Sequence, residues 1–492
     1  MPAAAERSML PGNNDTGRAA PEARGDFMDR SDAPEAMRDN ARESAQAPRP
    51  EVPYPEYLTI ESPYKQEVKR IKVDRWISED YAKREVEQIW KRVWQVACRE
   101  EEIPNVGDYI VYEIANLSFI VMHSAQDEYR AYWNSCPHRA RKVADFDGHG
   151  VSELRCMYHG WSWNIDGSPK KITCAWDFPG GEGEFGLVEA KTGRWGGFVF
   201  INPDPNAEPL ADFLGTMPEH YEKAGHDFSK RWKQVHVAAV LDCNWKIAQE
   251  AFLEPWHVVT THPQFVFERN NDNPSDGRWD DFGNFMRGAP HLPTDRQEPK
   301  PGWAITSDDD QEVLDSYYER HLNMPPEIAA HPGVRPTQQI IENARALYRG
   351  IIGDKIDDYH DVELFGGHMA SLFPNLHPWG AFSHICYRYR PYGTDPDRCI
   401  MEVMLLAAWP EDQPRPPAAK AHWLKPGETV ADAPELGQLA RIFTQDLGNV
   451  VHVQAGLKTN GLGHVMLAMH NETPVRHFHD LYEKWMGLAD GE

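Results

Sequence analysis

The chain has 492 residues, 41% of them hydrophobic and 11% aromatic, with a formal net charge of −25. That length holds two or three domains with full cores, and the acidity argues against nucleic acid or an anionic membrane surface as a partner. Seven cysteines in so long a chain do not make a disulfide framework. No apolar run reaches the roughly 18 residues of a membrane helix, and no leader is read at the start, so a reducing cytoplasm is expected.

Residues 1–50 are rich in Ala, Pro, Arg, Asp and Glu and nearly free of large apolar groups. A disordered tail is expected there, then an N-terminal segment over 51–94. Within it SEDYAKREVEQIWKRVW (78–94) predicts an amphipathic helix: Ser78 is a plausible N-cap, and Ala82, Val86, Ile89 and Val93 keep a helical period. The runs DYIVYEI, LSFIVMH, YRAYWN and GGFVFIN, separated by turn residues, predict a small antiparallel β domain over 95–235.

Inside that domain lies CPHRARKVADFDGHGVSELRCMYHGW (136–161). Cys136 and His138 are followed, after seventeen intervening residues, by Cys156 and His159. Two thiolates and two imidazoles satisfy zinc. Zinc sites, however, usually pair Cys with Cys and His with His. One Cys and one His in each loop suit a [2Fe–2S] centre with two Cys on one iron and two His on the other. Pro137 stiffens the first loop, and Gly160 lets the backbone approach closely. His149 reads as a turn residue between them. Cys98, Cys174, Cys243, Cys386 and Cys399 lack partners at ligand spacing and read as buried free thiols. Gly181, Gly183 and Gly186 spell G-x-G-x-x-G, but lead into no βαβ unit and read as a loop.

Residues 236–492 turn to longer helices and strands. NWKIAQEAFLEPWHVVTTHPQ (244–264) sets His257 and His262 five apart, about 140° around an ideal helix. Both imidazoles meet one metal only if the helix ends near Thr260–Thr261, where Pro263 supports an ending. Two ordinary surface His on a helix are the alternative. Two His with a carboxylate form the facial triad of non-haem Fe(II) oxygenases. Residues 267–345 read as a long insertion. Strands are expected at 381–390 and 399–407, and a long helix at 434–457, where Leu436, Leu439, Phe443 and Val450 define an apolar face that includes Asp446. A buried acid is costly unless paired or metal-bound. Glu435 and Asp432 are rivals. Phe252, Trp256, Phe365, Leu372, Phe373, Leu376 and Trp379 are apolar pocket candidates. His368 and His377 read as hydrogen-bonded core residues, with a place on the cavity wall as the alternative.

CPHR and CMYHGW resemble the two ligand loops of a Rieske domain, and RWGGFVFINPDPNAEPLADFLG (194–215) resembles its end. Residues 244–264, with Asn244, Trp245, Lys246 and Glu250, resemble the iron-binding segment of the α (large, catalytic) subunits of Rieske non-haem iron oxygenases, the aromatic-ring-hydroxylating dioxygenase family. The resemblance covers about residues 85–465. It implies an α+β chain: an antiparallel β Rieske [2Fe–2S] domain, then a helix-grip (START-like) catalytic domain with an antiparallel sheet and long helices. It implies Cys136, His138, Cys156 and His159 as cluster ligands, and His257, His262 and Asp446 as ligands of one Fe(2+), with Asn449 matching a pattern near the third ligand. The family usually carries Asp three residues before the first iron His, linking that His to a cluster His of the neighbouring subunit. Here Glu254 stands there and is expected to bridge His257 and the neighbour's His159, with Glu250 as the second candidate. Electrons from NAD(P)H are expected through a separate reductase or ferredoxin. The assembly is expected to be a homotrimer or α3β3, and the reaction O2-dependent hydroxylation of an apolar, aromatic ring. A monooxygenase or O-/N-demethylase with the same metals, and a non-catalytic Rieske electron carrier, are the alternatives.

Overall fold

The computed structural model describes residues 52–53, 55, 67–178, 182–223, 226–254, 256–268, 278–289, 306–320, 329–365, 369–379, 384–409 and 413–492. The expected tail at 1–50 lies outside them. Helix α1 spans Glu79–Glu85, with the Ser78 hydroxyl accepting from the Asp80 N–H at 3.2 Å. It widens into one π-helical turn, Val86–Trp90, that buries Val86, Ile89 and Trp90. The helix ends there, short of 94, and Gln95 opens the first strand of the β domain.

The next nine strands are β1 (Gln95–Arg99), β2 (Tyr109–Ile114), β3 (Leu117–Ala125), β4 (Glu128–Trp133), β5 (Leu154–Arg155), β6 (Ser162–Trp163), β7 (Pro169–Lys171), β8 (Glu189–Trp195) and β9 (Phe198–Asn202). They form a six-stranded sheet, β1-β9-β8-β4-β3-β2, and a three-stranded one, β5-β6-β7. The pairings are antiparallel. The three-stranded sheet carries a small core of its own, including Trp161, Trp163, Leu154 and both Cys136 and Cys156. The segment 181–186 holds a short 3₁₀ turn, Glu182–Glu184, and no strand–turn–helix unit; Gly181 lies outside the described residues.

The second domain is built on β10 (Arg231–Leu241), followed by helices α2 (Trp245–Glu250) and α3 (Val258–Thr261). Its other strands are β11 (Arg278–Phe282), β12 (Phe285–Ala289), β13 (Met369–Leu372), β14 (Leu376–Pro378), β15 (Ile385–Tyr392), β16 (Asp395–Ala408) and β17 (His422–Trp423). They form one eight-stranded sheet, β11-β12-β13-β14-β15-β16-β10-β17. Residues 267–345 are therefore not a single insertion. Residues 278–289 are a hairpin at the sheet edge, closed by Gly283 and Asn284, with Gly283 at φ +69°. A two-residue turn needs such a left-handed residue. The helical part, Asp310–Arg320 and Pro336–Ile352, packs its own core around Leu314, Tyr317, Ile340 and Ile341.

Alternation along β15 decides what each face of this sheet does. Tyr387 and Tyr389 point to the helix side. Arg388 and Arg390 point to the first domain. Arg388 donates to both oxygens of Glu402 on β16 at 2.7 Å and to the carbonyls of Val96 and Ala97 on β1 at 3.0 and 2.8 Å. Arg390 donates to Glu402 at 2.8 Å and to the Glu113 carbonyl at 2.6 Å. The helix side carries α2, then α4 (Leu439–Lys458) and α5 (Thr473–Met486). The segment before α1 packs on the C-terminal region: Lys69–Lys72 pairs antiparallel with His464–Leu467, and Arg75 donates to Glu483 on α5 at 2.8 Å. No helix among the described residues is long and apolar enough to cross a membrane.

Candidate metal centres

The two Cys/His loops are built alike. In the first, the Cys136 N–H donates to the Arg141 carbonyl and the Ala140 N–H to the Cys136 carbonyl, both at 2.9 Å. In the second, the Cys156 N–H donates to the Trp161 carbonyl at 2.8 Å and the Gly160 N–H to the Cys156 carbonyl at 3.0 Å. Each loop turns through a left-handed residue: Ala140 at φ +60° and Gly160 at φ +76°. The turns bring His138 Nδ1 and His159 Nδ1 to 3.1 Å of each other. Trp161 stacks on His138, with ring centroids 4.9 Å apart. Cys136 and Cys156 are buried beneath. Burial pushes the Cys136 thiol up, while the backbone N–H groups of His138 and Arg139, aimed at the sulfur, oppose that. Two buried sulfurs on one side and two facing Nδ1 atoms on the other fit a cluster in which a pair of cysteines holds one iron and a pair of histidines the other. Of the remaining cysteines, Cys98, Cys243, Cys386 and Cys399 are buried as expected. Cys174 is exposed, because it occupies a left-handed turn (φ +59°) outside both cores.

The second centre is assembled from three elements. Asn244 caps α2, its side chain accepting from the Lys246 N–H at 3.1 Å. After α2 the chain turns, and the short α3 begins at His257 and stops at His262. That break lets two His five residues apart face one point. On α4, Asp446 lies on the buried face with Leu439, Phe443 and Val450. Its Oδ1 stands 3.0 Å from His262 Nε2 and 3.4 Å from His257 Nε2. Yet this buried oxygen has no hydrogen-bond partner. The ligand atoms of the three side chains lie within 4.8 Å of one another. Close approach without a donor aimed at the oxygen is what a shared cation requires, and two imidazoles with one carboxylate are the donor set for Fe(II).

The rear nitrogens set the tautomers. Glu254 Oε1 accepts from His257 Nδ1 at 2.9 Å, and its Oε2 accepts from the His257 backbone N–H at 3.1 Å and from the Trp256 N–H. Gln445 Oε1 accepts from His262 Nδ1 at 2.9 Å and from Gln264 Nε2 at 2.8 Å. With Nδ1 engaged behind, each imidazole turns its Nε2 toward Asp446. Burial lowers the basicity of His257, but Asp446 and Glu254 outweigh it and push the imidazole up to about 10; a metal held at Nε2 would take the place of that proton. Gln445 has no sequence signal beyond its place beside Asp446. Asn449 Nδ2 donates to Thr261 Oγ1 at 3.1 Å and ties α4 to the end of α3.

The rivals are engaged elsewhere. Glu250 Oε1 accepts from Trp76 Nε1 at 2.8 Å and from His479 Nε2 at 2.9 Å. Glu435 pairs with His422, and Asp432 caps Thr429. Among the described residues no hydrogen bond joins Glu254 to His159 of the same chain. A second trio, Asp480, Glu483 and Asp490, closes on the Lys69 ammonium at 2.5–2.7 Å and is an ion-pair cluster. Of the pocket candidates, Phe252 packs tilted or edge-on against Tyr387, Tyr389 and Phe443 at 5.0–6.0 Å between centroids. Trp379 lies 6.4 Å from Tyr387. Leu372, Phe373 and Leu376 are core, and Trp256 is half exposed. His368 and the Phe365 side chain lie outside the described residues.

Residues 228–488 match the family model described as the ring hydroxylating alpha subunit (catalytic domain). The chain belongs to the ring-hydroxylating α-subunit family. Residues 93–179 of this α subunit match the Rieske [2Fe-2S] domain. The family's cofactors are therefore the [2Fe–2S] cluster and one mononuclear iron, and both residue sets fit them. The α subunit is similar to the chloroplastic choline monooxygenase of Beta vulgaris, 30% identical over 205 residues, 40% of this chain and 45% of that protein. It is 27% identical to the carnitine monooxygenase oxygenase subunit of Escherichia coli K12 over 184 residues, 37% of this chain and 49% of that protein. It is 28% identical to the anthranilate 1,2-dioxygenase large subunit of Acinetobacter baylyi over 208 residues, 40% and 44%. The chain spans about half the length of the curated relatives it matches. Among solved structures it resembles a quaternary ammonium Rieske monooxygenase bound to L-carnitine, TM-score 0.58 at 16% identity, over 85% of this chain and 96% of that one. A naphthalene 1,2-dioxygenase variant bound to phenanthrene gives 0.59 at 17%, over 85% and 92%. At these identities the likeness establishes the fold: β Rieske domain plus α+β catalytic domain.

Proposed function

We propose that this α subunit is the oxygenase component of a system that hydroxylates an apolar ring compound with O2. The carrying observation is the buried Asp446 Oδ1, without a hydrogen bond, 3.0 and 3.4 Å from two imidazole Nε2 atoms. Cys136, His138, Cys156 and His159 hold the [2Fe–2S] cluster, and His257, His262 and Asp446 hold Fe(II). When bound, the two centres supply single electrons and a site for O2 reduction. Glu254 and Gln445 fix both imidazoles in the ligating tautomer. The rings of Phe252, Tyr387, Tyr389 and Phe443 exclude water from the adjoining space. Electrons come from NAD(P)H through a separate reductase or ferredoxin. The cluster His pair meets through Nδ1, which leaves each Nε2 on the outer edge, where Glu254 of a neighbouring copy reaches His159 in a homotrimer or α3β3 ring.

Similarity to choline and carnitine monooxygenases favours a second reading, single-oxygen insertion into a quaternary ammonium compound. Product analysis separates them: two oxygens added to one ring mark dioxygenation, and one oxygen marks the alternative. The reading as a whole is tested on anaerobically purified protein by iron, acid-labile sulfide and EPR of the reduced sample. Roughly three irons and two sulfides per chain are expected, from one cluster and one mononuclear site. Two irons and two sulfides, unchanged after Fe(II) addition, would leave an electron carrier. Zinc without sulfide would overturn both.

A further inference from the structure

Beside the proposed iron site lies a group of polar side chains that the chemistry above does not use. Gln249 is fully buried on α2, and neither its amide oxygen nor its amide nitrogen has a hydrogen-bond partner. His377 on β14 is 2% exposed, and both ring nitrogens are unpartnered. Tyr389 on β15 is fully buried, and its hydroxyl is unpartnered. Burial alone pushes the His377 imidazole down to about 3, so it is a neutral donor and acceptor.

These groups share one region. His377 opposes Tyr387 in the β14–β15 register, which puts it on the Tyr387/Tyr389 face, and its ring lies 5.5 Å from that of Tyr389. The Gln249 carbonyl accepts from the Phe252 N–H at 3.0 Å in the turn that follows α2, and the Phe252 ring lies 6.0 Å from that of Tyr389. Phe252 also meets Phe443, one turn before Asp446 on α4. Leaving buried donors and acceptors unmade is costly, and native proteins rarely tolerate several together without a ligand or water to satisfy them. Arg388 and Arg390 belong to the opposite face of the strand, and Asp446 faces the two imidazoles. Gln249, His377 and Tyr389 therefore offer neutral hydrogen bonds inside an aromatic wall.

We infer that Gln249, His377 and Tyr389 form the specificity-determining end of the substrate pocket and bind the hydroxyl or carbonyl group of a neutral, otherwise apolar ring compound. The inference rests on the oxygenase reading and names its substrate class. A site built to hydrogen-bond a substrate oxygen discriminates strongly against the analogue that lacks it, because its own polar groups are then left unpaired.

The test uses the full chain with both metal centres loaded and equilibrium binding by calorimetry. The probes are 2-naphthol against naphthalene, 4-phenylphenol against biphenyl, and L-carnitine. Each hydroxylated probe is expected to bind at least tenfold tighter than its parent hydrocarbon. Tyr389→Phe and Gln249→Leu are each expected to reduce that preference to less than threefold. Both variants should keep or raise the thermal midpoint of the ligand-free protein, since they remove unpaired polar atoms; a purely structural role would lower it. Equal binding of hydroxylated and parent probes overturns the inference. So does preference retained in both variants, failure of every hydroxylated probe to bind, or tight binding of L-carnitine alone. Metal and sulfide content of the same sample reads the underlying proposal separately. Full metal with no preference sinks only the pocket assignment, whereas absent mononuclear iron sinks the oxygenase reading.

Discussion

His257 and His262 are each gripped from behind, one by Glu254 and the other by Gln445. Such outer partners orient the ring and raise its basicity, and their loss typically weakens metal binding 10–100-fold. Gln445→Leu and Glu254→Ala should each lose iron to a chelator about 10–100 times more readily, while the reduced-cluster EPR signal stays unchanged. Iron retention equal to wild type in Gln445→Leu would remove that residue from the site. Glu250 gives a prediction of another kind. Burial, opposed by Trp76, Lys246 and Arg75, pushes its carboxyl up from 4.5 to about 8. The folded chain therefore keeps a proton that the unfolded chain has released, and stability from this group falls as pH rises through that window. Glu250→Gln still accepts from Trp76 and His479 but does not titrate. Its thermal midpoint should match wild type below about pH 5 and exceed it increasingly up to about pH 8. A difference that does not vary with pH would refute the assignment. Cys and His at paired spacing are legible in the sequence because a metal restricts which residues serve. Gln445 and Gln249 are not, because a single amide forms no pattern; its meaning lies in what stands opposite.

The elements differ in how much of themselves they disclose. β2, β3, β4 and β9 are readable as β-rich runs bounded by turn residues, and α4 from its apolar stripe with Asp446 inside it. The strand β10 escapes such a reading, although HVAAV is β-rich, because a continuous buried run cannot be told from a buried helix by its period. The hairpin 278–289 hides within an Asp-rich stretch, since Asp280 is buried against Arg287 at 3.0 Å and so does not mark a loop. The two ligand loops show an element that can be improved. Gly160 takes φ +76° at no steric cost, but Ala140 takes φ +60° with a Cβ. A left-handed L-residue is strained by roughly 1–2 kcal/mol, partly offset by the extra chain entropy glycine loses. Ala140→Gly should therefore stabilise the Rieske domain by about 0.5–1 kcal/mol, read as slower loss of cluster absorbance in denaturant. Destabilisation would mean that the Ala140 methyl makes a contact worth more than its strain.

At the scale of the whole molecule, the two domains are joined by buried charge. Glu402 is 1% exposed and accepts from Arg388, Arg390 and His236. The same two arginines reach the carbonyls of Val96, Ala97 and Glu113 in the Rieske domain. Little of this is visible in sequence, because the partners lie far apart along the chain and Arg388 and Arg390 look like the solvent face of an ordinary strand. Although burial opposes it, the arginines hold the Glu402 carboxyl well below the usual carboxylate range, so it is charged across the working pH. Removing one member of such a set leaves uncompensated buried charge, which costs about 3–5 kcal/mol. Glu402→Leu should lower stability by about that much, and both metal centres should be lost in one transition, because the Rieske domain loses its seat on the catalytic sheet when the arginines are released. Thermal denaturation followed at the cluster absorbance and by release of mononuclear iron tests both halves. A cost below about 1 kcal/mol would mean the backbone carbonyls alone suffice to hold the arginines. Two separated transitions, with iron retained after the cluster is gone, would mean the catalytic domain stands without its partner and the buried charges serve only to align them.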